Sequence, residues 1–126
     1  MVVLQDMRLI NTRTKKLLLS EMRICTSFWQ KARGLILKEP QSLLFVYARP
    51  QRIHLHMIGV RFPIDVVLMD LEGTVLELKT LRPWQFFTSE NNAQLVLETP
   101  SGPIERKEIC LGDKLTTEIL KPLWMS

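Results

Sequence analysis

The sequence predicts a mainly β protein, built as a compact and mostly antiparallel β-barrel or sandwich-like single domain with one short helix. Short apolar stretches separated by turn segments run through nearly the whole chain. Helix and strand patterns do not alternate, which argues against a doubly wound sheet and leaves an α+β arrangement as the alternative. With 126 residues and no internal repeat or linker, the chain is expected to form one domain over residues 1–126.

The first elements are predicted to be two antiparallel strands. Residues 7–10 and 17–25 are apolar, and the polar segment 11–16 separates them. Leu18 and its alternate neighbours form the drier face of the second strand, as expected for a strand that is buried on one side.

A short helix is predicted over residues 28–33. Ser27 and Gln30 have the spacing of a capping box, in which each side chain bonds to the backbone of the other residue. Gly34 follows and can adopt the left-handed conformation that ends a helix.

Six further strands are predicted by continuous or alternating apolar runs. Residues 49–51 are expected to close the first of these strands, and Gly73 to provide the positive φ of a turn over residues 70–73. Residues 80–94 have an irregular pattern and are expected to form a long surface connection. The six strands cover residues 43–47, 53–57, 64–69, 74–78, 95–97 and 115–120.

Composition places the chain among ordinary globular proteins. Hydrophobic residues make up 46% and charged residues 24% of the sequence, which excludes an intrinsically disordered chain. The longest apolar run, Leu43–Ala48, falls far short of the roughly 18 residues that a membrane span needs. Because the start of the chain does not resemble a secretory signal, we expect a cytoplasmic protein whose thiols, Cys25 and Cys110, are buried in strands.

The net charge of +4 is unevenly distributed. Residues 1–38 contain eight basic and two acidic side chains. Basic side chains at Arg13, Lys15 and Lys16 fall at the predicted tip of the first hairpin. Charged hairpin tips are common, so a solvated turn is favoured there over a contact with nucleic acid.

Two histidines and one carboxylate are the candidate metal ligands. His54 and His56 are two residues apart, so on a strand their rings point to the same side, and Asp65 is the nearest candidate for a third ligand. Two histidines form only half a site. We therefore favour rings that line a partly solvated strand, and expect neither a metal nor another cofactor.

Asp65 is unusual because it shares its side of a predicted strand with Val67 and Met69. A carboxylate among apolar neighbours needs hydrogen-bond donors or a pocket. Backbone N–H groups, or pairing with Arg33 or Arg61, would make it an anchor for a loop. This structural role is favoured over that of an acid or base in an active site.

Arg33 and Trp84 complete the set of candidate binding residues. Arg33, at the end of the predicted helix, can hold a carboxylate or phosphate, or can bond to the last helix carbonyls. Trp84, with Phe86 and Phe87, can line a binding groove or stack on a base or sugar, although packing into the core is the more frequent role of such rings.

The order and spacing of several short motifs resemble the family called domain of unknown function 192, over about residues 20–118. The resemblance implies a small, mainly β, barrel-like fold with a short helix and no established activity. His56 stands where many relatives have tryptophan, and Ile58–Val60 where many have Lys-Asn-Thr, which speaks against a shared polar or metal site there. The motifs are Arg33-Gly34-Leu35, Phe62-Pro63-Ile64-Asp65, Leu95-Val96-Leu97-Glu98 and Gly112-Asp113.

Together these features favour a non-catalytic accessory domain that binds a small ligand or a protein partner, as a monomer or small homo-oligomer away from membranes. Its expected surface contains Arg33, His54, His56, Asp65 and Trp84. The alternative is a small hydrolase-like enzyme that uses Asp65 with a histidine on a carbohydrate or anionic substrate. Nucleic-acid binding through the basic N-terminal third is the third and least favoured hypothesis.

Overall fold

A computed structural model describes residues 2–5, 7–19, 22–26 and 40–119. This part of the chain contains nine strands and no helix, so none that could cross a membrane. The helix predicted over residues 28–33 lies outside the described residues. The strands are β1 (Val2–Gln5), β2 (Met7–Asn11), β3 (Lys16–Leu19), β4 (Met22–Thr26), β5 (Leu43–His56), β6 (Ile64–Met69), β7 (Val75–Leu81), β8 (Phe86–Pro100) and β9 (Leu115–Ile119).

The strands form two sheets. A six-stranded sheet has the order β1-β4-β5-β8-β6-β7, and a three-stranded sheet has the order β3-β2-β9. All neighbouring strands are antiparallel except β4 and β5, which are parallel. Strands β1 and β7 remain as edges, so the large sheet is not a closed barrel. The mainly β prediction is confirmed, in its sandwich-like form.

The large sheet carries apolar side chains on both faces, because β6 and the first part of β5 are apolar at nearly every position. Leu43 and Phe45 point to one face, and Leu44 points to the other. The side chains on the first face pack against one another and against the loop between β5 and β6. We call this cluster the inner core. Its buried members are Cys25, Leu43, Phe45, Tyr47, Ile53, Leu55, Met57, Val60, Ile64, Val66, Leu68, Leu81, Ala93 and Val96.

The opposite face, here called the outer face, packs against the three-stranded sheet. Leu9 of β2 and Leu115 of β9 contact it from the small sheet, and Ile109 contacts it from the loop before β9. We call this cluster the intersheet core. Its buried members from the large sheet are Met22, Leu44, Val67, Met69, Val75 and Leu97.

The prediction that residues 49–51 end a strand was wrong. Strand β5 continues through them to His56, and its pairing with β8 shifts register between Val46 and Gln51. Pro50 lies in this irregular stretch, where the missing N–H group costs no regular ladder hydrogen bond.

The surface connection predicted over residues 80–94 was also wrong. Strand β7 extends to Leu81 and β8 begins at Phe86, so a short turn joins them. Strand β8 was missed because the first part of its sequence is polar. One of these polar residues, Ser89, is fully buried. Its hydroxyl accepts from the Ile53 N–H and donates to the Asn91 carbonyl, both at 2.8 Å, which satisfies backbone groups where the pairing is irregular.

The N-terminal hairpin was predicted correctly in part. Strands β2 and β3 pair as expected, but residues 17–25 do not form one strand. They divide into β3 and β4, which belong to different sheets. Cys25 is buried in β4 as predicted, whereas Cys110 is only half-buried and lies in a turn rather than a strand.

The predicted turn over residues 70–73 is confirmed. Gly73 has a φ of 90°, and the Asp70 carboxylate accepts from the Glu72 and Thr74 N–H groups at 2.9 Å each. The Gly73 carbonyl also accepts from the Leu115 N–H, so this turn joins the large sheet to the start of β9.

Gly73→Ala should destabilise the fold much more than Gly59→Ala, although both glycines have a positive φ, of 90° and 80°. The left-handed conformation alone costs about 1–2 kcal/mol for a residue with a Cβ. A Cβ on Gly73 would also collide with the Leu115 carbonyl oxygen, whereas a Cβ on Gly59 meets open space. Crowding of this kind adds about 1–3 kcal/mol. Urea denaturation measures both losses, and equal losses would contradict the close approach of this turn to β9.

Candidate ligand-binding site

A cleft of about 530 Å³ opens where the two sheets meet, beside the start of β5 and the end of β8. One wall is apolar and comes from β3 and β4. The opposite wall comes from the segment after β8, and hydroxyl-bearing side chains lie between the two. Its lining residues in the described part of the chain are Leu18, Leu19, Met22, Pro40, Gln41, Ser42, Thr99, Pro100, Ser101, Pro103 and Arg106.

A buried pair of hydroxyls lies between the walls of the cleft. Ser42 directly precedes β5, and Thr99 is near the end of β8, so the pairing of these strands brings them together. Their side-chain oxygens are 2.8 Å apart, and either hydroxyl can donate to the other. The pair can therefore exchange its internal hydrogen bond for one to a ligand, as donor or as acceptor.

Asp65 anchors the segment that forms one wall of the cleft. Its carboxylate is 1% exposed and accepts from the N–H groups of Gly102 and Ile104, both at 3.0 Å. The other oxygen accepts from the Thr80 hydroxyl at 2.7 Å. These donors compensate for the burial of the carboxylate and fix the loop that carries Pro103 and Arg106.

Arg106 lines the cleft and is paired with Glu108. Its Nη2 and Nε lie 2.9 and 3.2 Å from the two carboxylate oxygens of Glu108. The hydrogen bond to Arg106, partly opposed by burial, lowers the pKa of Glu108. The guanidinium lies where a Cβ at position 102 would be, and the φ of 147° at Gly102 favours glycine there.

A second cavity of about 150 Å³ adjoins the cleft and shares Leu18 and Arg106 with it. Lys16 and Lys107 also line this cavity, and Glu108 is its one acidic lining residue in the described part of the chain. Three cations and one carboxylate therefore line this second cavity, which meets the cleft at Leu18 and Arg106. We call these four residues the basic corner.

The solvated hairpin tip predicted from the sequence would leave the Arg13 side chain free in solvent. In the structure, Arg13 is instead paired with a buried carboxylate. Its Nε lies 2.7 Å from the Asp113 carboxylate, which also accepts from Asn11 at 2.7 Å and from the Cys110 N–H at 2.8 Å. Burial by itself would raise the pKa of Asp113, but these hydrogen bonds and the charge of Arg13 hold it below its ordinary value. The turn between β2 and β3 is thereby tied to the loop before β9.

The structure places three of the predicted site residues at one end of β5 and β8, away from the cleft lining. His54 is exposed and His56 half-buried on β5, opposite Thr88 and Phe86 of β8. Trp84 is 66% exposed in the turn before β8. Asp65 lies instead under the cleft wall, and Arg33 is outside the described residues.

The geometry does not assemble the metal or acid–base sites considered from sequence. Within residues 2–5, 7–19, 22–26 and 40–119, no three His, Cys, Asp or Glu side chains converge as metal ligands. His54, His56 and Asp65 therefore do not form a three-ligand site. The hydrogen-bond donors to Asp65 are a threonine and two backbone groups, not a histidine.

Sequence reasoning missed the residues that define the cleft, above all Ser42, Thr99 and Arg106. Ser42 and Thr99 border apolar runs and carry no motif. The Pro100–Pro103 segment follows the strand predicted over residues 95–97 and carried no predicted element or functional role. Two prolines around Ser101 and Gly102, followed by basic residues, were the available signal of a rigid loop beside a basic cavity.

The fold and the cleft together define a small, two-sheet β protein with a groove at the junction of its sheets. Residues 9–117 match the model of the family known as domain of unknown function 192 (DUF192), described as "Uncharacterized ACR". The chain belongs to this family.

Curated relatives support this assignment and are named only as UPF0127 proteins. The protein from Thermococcus sibiricus is 30% identical over 115 residues, which cover 88% of this chain and 75% of that protein. The protein from Pyrococcus furiosus is 30% identical over 110 residues, covering 85% and 95%. The protein from Pyrococcus horikoshii is 33% identical over 98 residues, covering 75% and 85%.

Two crystal structures share the fold. A "putative transcription regulator" from Sinorhizobium meliloti has a TM-score of 0.75 and 20% identity, over 91% of this chain and 94% of that chain. A protein of unknown function from Novosphingobium aromaticivorans has a TM-score of 0.72 and 18% identity, over 91% and 84%. At these identities the similarity concerns the fold alone.

Asp65→Asn should loosen the loop that carries Arg106. An amide has only one acceptor oxygen and cannot serve all three donors, so we expect a loss of about 1–3 kcal/mol in the free energy of unfolding. Thr80→Val, which removes one donor and keeps a β-branched shape, is the matched control with a smaller loss. Hydrogen exchange at the Gly102 and Ile104 amides should accelerate in Asp65→Asn only; unchanged protection there would contradict the anchor.

The contribution of Asp113 to stability should depend on pH. Because its pKa is lowered in the folded state, the carboxylate stabilises the fold above the ordinary pKa of about 3.9. That contribution disappears as the pH falls through the lower folded value. Asp113→Asn should therefore be less stable than the parent protein at pH 7, with a smaller difference at pH 3. Urea denaturation measures the difference in unfolding free energy between the parent protein and Asp113→Asn at each pH. In an Arg13→Gln background this difference should change less with pH, and an unchanged pH dependence would exclude Arg13 as the partner of Asp113.

Proposed function

We propose that this protein is a non-catalytic binding domain that holds a small organic anion in the cleft between its two sheets. The observation that carries the proposal is the pairing of a cleft of about 530 Å³ with the basic corner at one end. Small-molecule sites typically measure about 300–1,000 Å³ and combine apolar walls with a few polar groups.

The basic corner is suited to an anionic group on the ligand. Lys16, Lys107 and Arg106 exceed the single carboxylate of Glu108 by two positive charges. Arg106 presents a planar guanidinium, which binds carboxylates and phosphates through two parallel hydrogen bonds. Its pair with Glu108 is exposed, and such pairs contribute only about 0–1 kcal/mol, so a ligand can replace Glu108 at little cost.

The body of the cleft is suited to an apolar segment of the ligand with one hydrogen-bonding group. Leu18, Leu19 and Met22 supply apolar surface, and methionine adapts its shape to different ligands. The hydroxyls of Ser42 and Thr99 can hold a hydroxyl or carbonyl group. The expected ligand therefore has a carboxylate or phosphate, an apolar middle and one further polar atom.

Binding is favoured over catalysis because Asp65, the carboxylate considered as an acid or base, already accepts hydrogen bonds from three protein donors. Both oxygens of Asp65 accept hydrogen bonds from the protein, and the residue is 1% exposed. A general acid or base must reach the proton that it transfers. Asp65 supports the wall of the cleft instead, which agrees with an accessory binding domain.

The proposal is tested by amide NMR titration with matched pairs of probes. Each pair is a C6–C8 carboxylate or phosphate monoester and its neutral amide or alcohol. We expect the acid to bind about tenfold or more tightly than its neutral partner, a difference of about 1.4 kcal/mol that one charge-assisted hydrogen bond provides. Shift changes should centre on residues 41–42 and 99–107.

Arg106→Gln should abolish the preference for the anion, and Thr99→Val should weaken acid and neutral probes alike. Arg49→Gln is the control, since it removes an exposed arginine that does not line the cleft. An unchanged preference in Arg106→Gln, or shift changes confined to other surfaces, would refute the proposal.

A further inference from the structure

The three-stranded sheet covers only part of the outer face of the large sheet. The intersheet core takes Leu44 from the first part of β5 and Leu97 from the last part of β8, and the partly buried Val46 and Leu95 pack against it. Towards the other end, β5 and β8 still pair, from Gln51 and Ala93 to His56 and Phe86. None of the described residues of that stretch belongs to the intersheet core.

Aromatic and histidine side chains occupy this area, which the three-stranded sheet does not reach. Because residues directly opposite each other in a strand pair point to the same side, Phe86 lies beside His56 and Thr88 beside His54. The His54 ring and the Thr88 hydroxyl are 3.1 Å apart. We call the area formed by His54, His56 and Phe86, together with the exposed Trp84 of the adjoining turn, the open aromatic face.

Two aromatic rings of this face are strongly exposed. Phe86 is 75% exposed and Trp84 is 66% exposed. The backbone N–H of Trp84 donates to the Met57 carbonyl at 3.0 Å, so the turn that carries Trp84 is fixed against the end of β5. Trp84 has a φ of 68°, a conformation that is costly for a bulky residue.

The surroundings of the open aromatic face are basic. Residues 48–64 and 82–89 contain four arginines and no aspartate or glutamate. Arg49, Arg52, Arg61 and Arg82 are all exposed. The Arg52 Nε donates to the Ser89 carbonyl at 2.8 Å, which directs this guanidinium across the strand pair. Acidic residues follow directly after both segments, at Asp65 and Glu90. Asp65 is buried, whereas Glu90 is exposed and its N–H donates to the Glu77 carboxylate at 3.0 Å, so this boundary of the area is acidic.

We propose that the open aromatic face binds single-stranded nucleic acid, with bases stacked on Phe86 and Trp84 and phosphates held by the surrounding arginines. Exposed rings on a rigid sheet, interleaved with arginines, supply the two contacts that such ligands need. A duplex offers phosphates but keeps its bases stacked inside. A second copy of the chain fits poorly, because a symmetric contact would bring arginines of one copy against those of the other.

The test measures fluorescence anisotropy of a labelled 12-nucleotide oligo(dT) at 50 and 200 mM salt. We expect the single strand to bind at least tenfold more tightly than a 12-base-pair duplex, and binding to weaken with salt. Phe86→Ala and Trp84→Asn should each weaken binding about tenfold or more, within the range for loss of one stacked base. Asparagine tolerates a positive φ, so Trp84→Asn should remain folded.

Matched controls separate this surface from a general charge effect. Arg61→Gln and Arg82→Gln should weaken binding and flatten the salt dependence, whereas Lys114→Gln, on the edge of the small sheet, should change neither. Leu71→Ala removes an equally exposed apolar side chain at another turn and should have no effect.

Four outcomes would overturn the proposal. The first is Phe86→Ala binding like the parent protein, and the second is a duplex binding as well as the single strand. The third is tighter binding of anionic phospholipid vesicles than of oligo(dT), lost in Phe86→Ala. The fourth is dimerisation, seen by sedimentation and lost in Phe86→Ala, which would assign the face to a second copy of the chain. None of these outcomes bears on anion binding in the cleft.

Discussion

The incomplete coverage of a six-stranded sheet by a three-stranded one is the constraint from which the other features follow. The large sheet is apolar on both faces along β6 and the first part of β5, so the small sheet must pack there. Three strands cannot span the whole outer face. The edge of the covered part leaves a cleft, and the uncovered part must carry side chains that tolerate water, such as His54 and Arg52.

Two buried carboxylates hold the segment between β8 and β9, which has no regular secondary structure yet forms much of the cleft. Asp65 binds its beginning at Gly102 and Ile104, and Asp113 binds its end at Cys110 and links it to Arg13. Each carboxylate is satisfied by several donors, as buried charges must be. Arg106 lies between these two anchors, so its position follows from both.

Sequence patterns predicted the elements whose signal is local. The apolar run at β6, the turn at Gly73 and the pairing of β2 with β3 each depend on neighbouring residues. The continuation of β5 through Pro50 and of β8 through Ser89 was missed, because irregular pairing tolerates polar residues and proline that a regular strand would exclude.

The candidate sites were less predictable, since they depend on contacts between distant segments. The need of Asp65 for donors followed from its apolar neighbours, but the identity of those donors, up to 39 residues away, did not. Arg13 and Asp113 are 100 residues apart, so the hairpin tip carried no sign of its partner. His54, His56 and Trp84 were named from the sequence as candidate binding residues, whereas the proximity of Phe86 to His56 required the register of β5 with β8.

The central claim, that only part of the outer face is covered, is tested most directly by a soluble paramagnetic gadolinium chelate in NMR. The Phe86 ring and the His54 ring should relax strongly, while the Leu44 and Leu97 methyl groups, on the same face of the same two strands, should be protected. Equal protection at both ends would mean that the whole face is covered and would contradict this account of both proposed sites.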